Sequence, residues 1–169
     1  MDEHDRVIGR AERLALHRRG LMHRAVHILV FDGRGRLYVQ KRSKHKHTSP
    51  RCYDSSSSGH LDSGESYDAS AVRELKEELG LAAPRVRPLR RLFKIAACRE
   101  TGWEHVWVYA CRSDSVIHPD PYEIESGRFW SWEEVLRLVR TRPADCADGF
   151  ARVIQELTLR GGKRLVAHL

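Results

Sequence analysis

Three glutamates near the middle of the chain are spaced so that they could bind a divalent cation. Glu74, Glu77 and Glu78 stand at i, i+3 and i+4, which places their carboxylates on one region of a helix surface. Without a counter-ion these charges would repel one another. Because Mg²⁺ and Mn²⁺ prefer carboxylate and water oxygens, the spacing indicates a metal site, the alternative being a solvated acidic face.

The residues around these glutamates predict the helix that carries them. Ser66 is a good N-cap, and Gly80 stands where a left-handed C-terminal residue is favoured. The stretch 59–64 has few side chains to order it and is interpreted as a loop that lets the backbone approach the helix. Apolar residues at three- and four-residue spacing predict a buried face made of Ala69, Val72, Leu75 and Leu79.

Residues 59–81 match the Nudix box, G-x5-E-x7-R-E-U-x-E-E-x-G-U with U aliphatic, at every fixed position. A chance match is on the order of 10⁻⁸ per start point. From about residue 23 to residue 159 the chain resembles a Nudix hydrolase, and outside the box the match rests on element order. The resemblance implies an α/β/α sandwich with a mixed sheet, in agreement with strands and helices that mix without strict alternation. We expect residues 1–22 to be an N-terminal extension and 23–169 the Nudix domain.

The resemblance also assigns roles within the box. The three glutamates would hold Mg²⁺ or Mn²⁺, completed by the backbone around Gly59, while Glu65 and Arg73 would support the loop and the helix. Proteins of this family cleave a nucleoside diphosphate linked to another group, or a related diphosphate, with water that the metal activates. The general base is either a box glutamate or a carboxylate of a later loop, and Glu123 and Glu125 are the candidates there unless they are only exposed loop residues.

Basic residues dominate the charge of the chain, and several of them lie in or beside the loop that follows a predicted strand. Lys+Arg number 30 against 23 Asp+Glu, a net charge of +7, which favours an anionic ligand such as a small-molecule diphosphate. The basic residues are scattered and no nucleic-acid motif is present, which argues against a nucleic-acid partner. Candidate phosphate ligands, unless they belong to a solvated loop, are Lys41, Arg42, Lys44 and Lys46.

A second resemblance is to the isopentenyl diphosphate isomerase branch of the same superfamily, and it rests on segments 23–25, 40–42 and 58–60. Those isomerases use a cysteine, a glutamate and a histidine-rich metal site. The cysteine position falls on Ser58, a far weaker acid; the glutamate corresponds to Glu104, and the histidines to His60 and His23. His60 is left open as a metal ligand, a substrate contact or a loop residue. The intact box favours a hydrolase, and an isomerase or a non-catalytic binding domain are the alternatives.

Apolar runs and turn residues predict the other elements. They indicate strands over 23–31, 37–42, 103–112 and 124–130, a short edge strand at 7–9, a chain break at Ala83-Pro84, a capped helix from Ser131 to Arg140, and a last helix with Phe150, Val153, Ile154 and Leu157 on its inner face. The dispersed cysteines argue against a zinc site or a disulfide scaffold. Without a signal region or an apolar span, we expect a cytoplasmic protein with no membrane partner; the resemblance allows a homodimer.

Overall fold

The computed structural model describes residues 1–82 and 88–169. Its helices and strands follow one another in the order α1 (Arg13–Arg19), β1 (His23–Phe31), β2 (Leu37–Arg42), β3 (Tyr53–Asp54), β4 (Ser57–His60), α2 (Tyr67–Leu79), β5 (Arg90–Ile95), β6 (Glu104–Arg112), β7 (Ile124–Trp130), α3 (Trp132–Thr141), α4 (Asp148–Leu159) and α5 (Lys163–Val166). The chain break predicted at Ala83-Pro84 lies outside the described residues. No helix among the described residues is long and apolar enough to cross a membrane.

Strand β1 is the centre of a mixed sheet. It pairs in parallel with β6 along its whole length and antiparallel with β4, and β5 extends the sheet beyond β6. Strand β2 meets β1 only where Phe31 pairs with Leu37, and it then pairs with β3 and β7. The parallel pair brings the start of β1 beside the start of β6, so that His23 lies opposite Glu104.

Helices cover both faces of this sheet. One face packs on α2 through a core that includes Val26, Ile28, Leu75 and Leu79. The other face packs on α3 and α4 through a core that includes Ala25, Leu29, Val135 and Phe150. Alternate residues of β1 therefore enter different cores, as the pleat of a strand requires. The predicted α/β/α sandwich with a mixed sheet is confirmed.

Helix α2 is capped as predicted, but its buried face differs. The Ser66 side chain accepts a hydrogen bond from the Ala69 N–H at 3.2 Å, and Gly80 ends the helix in the left-handed region with φ 65°. The prediction that Ala69 and Val72 are buried is wrong, since both are exposed. A count of apolar residues missed the inward face because charged and polar residues occupy part of it. Its members are Tyr67, Ser70, Ala71, Glu74, Leu75, Glu78 and Leu79.

The N-terminal residues do not form the predicted edge strand at 7–9, and Val7 and Ile8 are exposed. Asp5 holds this segment on the sheet: it accepts hydrogen bonds from Arg24 Nε at 2.6 Å and from the Tyr67 hydroxyl at 2.9 Å, and it pairs with Lys94. The segment is thus held by side-chain contacts of Asp5 and not by strand pairing. Such contacts leave no mark in the pattern of apolar residues, and for this reason the strand prediction failed.

Two other sequence predictions are confirmed, whereas two strands were not predicted. The capping box of α3 is present, with Ser131 and Glu134 each bonded to the other's backbone N–H, and the predicted inner face of α4 is buried. Strands β3 and β4 were missed, since the sequence analysis found no strand between residue 42 and the box helix. They carry few of the β-branched and aromatic residues that favour strands.

Candidate active site

Strand β4 lies between two groups of candidate site residues, one on each face of the sheet. It pairs with β1 so that Ala25 lies opposite His60 and His27 opposite Ser58. Directly opposed residues share a face of the sheet, so the side chains of Ser58 and His60 lie on the α4 side. Gly59 lies on the α2 side, where a Cβ atom would be 2.0 Å from Glu74 Oε1. Glycine is therefore required for the close backbone approach that the sequence analysis expected, although residues 59 and 60 belong to strand β4 and not to the predicted loop.

Arg73 connects the box residues to one another. Its Nη1 donates to Glu74 at 2.7 Å and to Glu77 at 3.0 Å, and its Nε donates to Glu65 at 2.9 Å. Its Nη2 also donates to the carbonyl oxygen of His60 at 3.0 Å. Glu65 in turn accepts from the N–H of Asp62. The hydrogen bond from Arg73 lowers the pKa of Glu65, so the loop before α2 is fixed by an ionised pair.

Glu74 and Glu78 are buried carboxyl groups, whereas Glu77 is exposed. Glu78 accepts from the Ser58 N–H at 3.1 Å and from Gln40 Nε2 at 3.4 Å. Burial and the neighbouring Glu74 raise the pKa of Glu78 to about 8. Burial also raises the pKa of Glu74, although Arg73 opposes the rise. Two acidic groups forced together at low dielectric would be stabilised by a cation, so this donor set fits Mg²⁺ or Mn²⁺.

On the α4 side of β4, three histidines and a glutamate converge. One ligand atom from each of His17, His23, His60 and Glu104 lies within 4.8 Å of the others. His60 Nε2 is 2.8 Å from Glu104 Oε1, and His23 Nε2 is 3.4 Å from the same oxygen. Burial alone would raise the pKa of Glu104, but the hydrogen bonds from His23 and His60 lower it. The group has the imidazole and carboxylate donors of a transition-metal site.

This second cluster contains His60 and also His17, a residue that the sequence analysis missed. His60 is part of the cluster, and its Nδ1 is a buried atom without a hydrogen-bond partner among the described residues. His17 comes from α1, outside the segments that carried the resemblance. Its only sequence signal was a histidine six residues before His23 on a weakly helical stretch.

The predicted basic residues separate into two groups. Arg42 and Lys46, with His60, line a cavity of about 160 Å³ between β1, β4 and α4. Arg42 is buried and donates to Asp54 at 2.7 Å and to the Thr48 carbonyl at 3.0 Å. Lys41 and Lys44 are not among the residues that line this cavity.

The two later carboxylates are both in ion pairs. Glu123 pairs with Lys46, and Glu125 accepts from Lys41 at 2.9 Å. Glu123 lines an adjoining cleft of about 440 Å³, which shares Lys46 and His17 with the cavity and also includes Tyr122. Glu125 is exposed and is not among the residues that line either space.

Comparisons with known proteins identify the domain and several relatives. The family model of the NUDIX domain matches residues 21–150. The chain is 35% identical over 146 residues to an uncharacterised Nudix hydrolase of Streptomyces coelicolor, with 80% of each chain covered. It is 34% identical to an isopentenyl-diphosphate Delta-isomerase of Burkholderia multivorans, covering 82% of this chain and 78% of that protein. The crystal structure of DR0079 from Deinococcus radiodurans superposes with a TM-score of 0.79 at 28% identity, covering 92% and 94% of the two chains.

Proposed function

This chain belongs to the Nudix family and is a pyrophosphohydrolase, and we propose that it cleaves an organic diphosphate with water activated beside Glu74, Glu77 and Glu78. The observation that carries the proposal is the packing of Glu74 against Gly59 with Glu78 buried beside it. Two carboxyl groups with raised pKa values are destabilised without a cation. A divalent ion relieves that cost, and a catalytic ion is the function for which such an arrangement is suited.

When bound, Mg²⁺ or Mn²⁺ would neutralise phosphate charge and lower the pKa of a water molecule. The protein's own residues supply position. Arg73 holds Glu74 and Glu77 on one side and Glu65 on the other, so the carboxylates keep one arrangement. The Ser58 N–H and Gln40 fix Glu78.

Substrate phosphates would lie near Lys46. Lys46 lines both the cavity and the adjoining cleft, and its Glu123 partner is half-buried at the same place. Arg42 has its guanidinium engaged by Asp54 and Thr48, which supports a positioning role. The locations of Lys41 and Lys44 support a solvated role for these two.

The general base is proposed to be one of the box glutamates. Glu123 and Glu125 are each held by a lysine, so either would have to leave an ion pair before it accepted a proton. Glu78 stands beside the other box carboxyl groups and is held by hydrogen bonds from the Ser58 N–H and from Gln40 rather than by a lysine, which supports a box glutamate in this role.

The second candidate function is isomerisation of a prenyl diphosphate. The observation in its favour is the cluster of four potential ligands, which matches the histidine-rich site that the isomerase resemblance implies: His17, His23, His60 and Glu104. Against isomerisation stands Ser58, since a hydroxyl is a poor proton donor to carbon at neutral pH. The cluster is therefore proposed as a second metal site of a hydrolase.

The test is a screen of nucleotide sugars, dinucleotides, coenzyme A esters and prenyl diphosphates with Mg²⁺ and Mn²⁺. We expect metal-dependent release of a phosphorylated product for at least one substrate, and a loss of about 100-fold or more in kcat for Glu78→Gln. Glu3→Gln, an exposed glutamate outside the box, is the control and should match wild type. Hydrolysis that persists in Glu78→Gln would contradict the proposal.

A further inference from the structure

Asp5 joins three elements of the fold at one carboxylate. It accepts hydrogen bonds from Arg24 of β1 and from Tyr67 of α2, and it pairs with Lys94 of β5. Only 9% of its side chain is exposed. Burial alone would raise the pKa of Asp5, but the hydrogen bonds from these three residues lower it. Because charge-assisted hydrogen bonds to a largely buried carboxylate are stronger than a solvent-exposed ion pair, Asp5 anchors residues 1–6, here called the N-terminal strap.

The rest of the N-terminal strap is also fixed by polar contacts. The Met1 ammonium group donates to the Met22 carbonyl at 2.7 Å, and the Asp2 carbonyl lies 2.9 Å from His105 Nε2. Asp5 has φ 62°, and its N–H donates to the Asp2 carbonyl at 3.1 Å. Aspartate and asparagine both tolerate this left-handed conformation, so asparagine can replace Asp5 without a change of backbone.

Helix α1 begins six residues after the N-terminal strap and has little packing of its own. None of its seven residues is buried, and none belongs to either apolar core. A helix this short is not stable by itself in water. Its position is therefore set by the chain on its two sides, which is the N-terminal strap at one end and Gly20, followed by β1, at the other.

Helix α1 carries two side chains that face the candidate site. The ring centroid of His17 lies 5.1 Å from that of His23 and 5.0 Å from that of His60. Arg13, one turn earlier on the same side of the helix, lines both the cavity and the adjoining cleft. The other members of the histidine cluster come from strands of the sheet, so His17 is the member whose place depends on α1.

We propose that Asp5 is a positioning residue: by anchoring the N-terminal strap, it holds α1 where His17 completes the histidine cluster. This inference rests on the second metal site of the proposed function. With the strap docked, residues 7–22 form a loop that is closed at both ends, which raises the effective concentration of His17 at the cluster. With the strap released, α1 is attached at one end only, and metal binding must then supply the free energy that closes the loop.

The position of His17 is measured first, in EDTA. Diethyl pyrocarbonate modifies accessible imidazoles, and mass spectrometry of peptides gives a rate for each histidine. Asp5→Asn removes the charge that Arg24 and Lys94 contact, so we expect His17, which is half-buried in wild type, to react several-fold faster. The exposed His45 is the internal control and should react at its wild-type rate. An unchanged rate at His17 would overturn the inference.

Binding of Co²⁺, followed by visible absorption, then tests whether Asp5 acts through His17. The His17→Ala variant defines the share of binding that belongs to the histidine cluster. We expect Asp5→Asn to weaken this binding about 10-fold or more, as loss of a supporting residue does at other metal sites. In His17→Ala, the further change Asp5→Asn should have no effect. An equal loss in that background would mean that Asp5 acts on the whole fold, which would also overturn the inference.

Asp68→Asn is the matched control. Asp68 also accepts from an arginine and a tyrosine, namely Arg91 Nε at 2.8 Å and the Tyr109 hydroxyl at 2.7 Å, but these contacts do not hold the N-terminal strap. The change removes the same charge and should leave the modification rate of His17 and the Co²⁺ affinity as in wild type. Effects equal to those of Asp5→Asn would show a general response to lost charge and would contradict the proposed role.

Lys94→Ala tests the same anchor from its other side. It removes one donor while Arg24 and Tyr67 still hold Asp5, so it should shift both readouts in the direction of Asp5→Asn by a smaller factor. Opposite shifts would contradict the inference. If wild type and His17→Ala bind Co²⁺ equally, the second metal site of the proposed function is refuted, while the modification rate of His17 still decides whether Asp5 positions α1.

Discussion

At the scale of single residues, Glu78 links stability, metal and pH. Its pKa is about 8 in the folded protein, above the ordinary 4.5 of a glutamate. Between these two values the folded state binds more protons than the unfolded state. The free energy of unfolding contributed by this group is therefore fully present below about pH 4.5 and is lost as pH rises toward 8.

Glu78→Gln should consequently stabilise the metal-free protein at high pH. The amide keeps an acceptor for the Ser58 N–H and cannot ionise, and one pKa unit corresponds to about 1.4 kcal/mol. In EDTA at pH 8 we expect a Tm about 3 °C or more above wild type, and near-equality at pH 5. Thermal unfolding with and without Mg²⁺ checks this, with the exposed Glu77→Gln as control. A variant less stable than wild type at pH 8 in EDTA would show that Glu78 is not under this strain.

Lys46 and Lys44 are only two residues apart but differ in location, and this difference is testable. Lys46 lines the cavity and the cleft, whereas Lys44 is exposed. On the best substrate found, Lys46→Ala should raise KM about 10-fold with a smaller change in kcat, and Lys44→Ala should leave both unchanged. Steady-state kinetics measure the two constants. Equal effects of the two changes would mean that the cavity does not hold the phosphates.

At the scale of elements, the sequence predicts β1, β2, β7 and α3 well because apolar runs, turn residues and a capping box mark them. It does not predict β3 and β4, whose segment contains four consecutive serines. Long-range contacts hold this segment: the Ser56 hydroxyl accepts from the Val30 N–H and donates to the Tyr38 carbonyl. The burial of Glu74 was not predicted for the same reason, namely that it depends on long-range contacts. Which face of α2 is buried is decided by the packing of β4 against the helix.

The contact between β4 and α2 predicts the effect of Gly59→Ala. The added methyl would need the space of the Glu74 carboxylate, so Glu74 must move away while the rest of the sheet remains paired. We expect Mn²⁺ affinity, followed by electron paramagnetic resonance, to fall about 10-fold or more. Gly64→Ala, with open space around the added Cβ but a positive φ, separates backbone strain from the steric effect. Full Mn²⁺ affinity in Gly59→Ala would refute the steric argument.

At the scale of the whole molecule, two clusters of potential metal ligands lie on opposite sides of one short strand. Arg73 from α2 binds the His60 carbonyl, while the His60 ring belongs to the histidine cluster. The box glutamates come from one helix, whereas the histidine cluster is assembled from α1, β1, β4 and β6. This assembly explains why sequence reasoning reached the first set by spacing and the second only in part by resemblance.

Substitution of Ser58 shows whether the reaction takes place at the box glutamates or at the histidine cluster. The Ser58 hydroxyl faces the cavity and, among the residues that the structure describes, makes only a long contact, 3.4 Å, with Asp54, so no strong base activates it. Hydrolysis at the box would use the Ser58 backbone N–H on Glu78 and not its side chain. We therefore expect Ser58→Ala to retain most hydrolytic activity, and wild type to give no dimethylallyl product from isopentenyl diphosphate by NMR, with or without Mg²⁺. Isomerisation by wild type, or loss of hydrolysis in a folded Ser58→Ala protein, would move the reaction to the histidine side of β4.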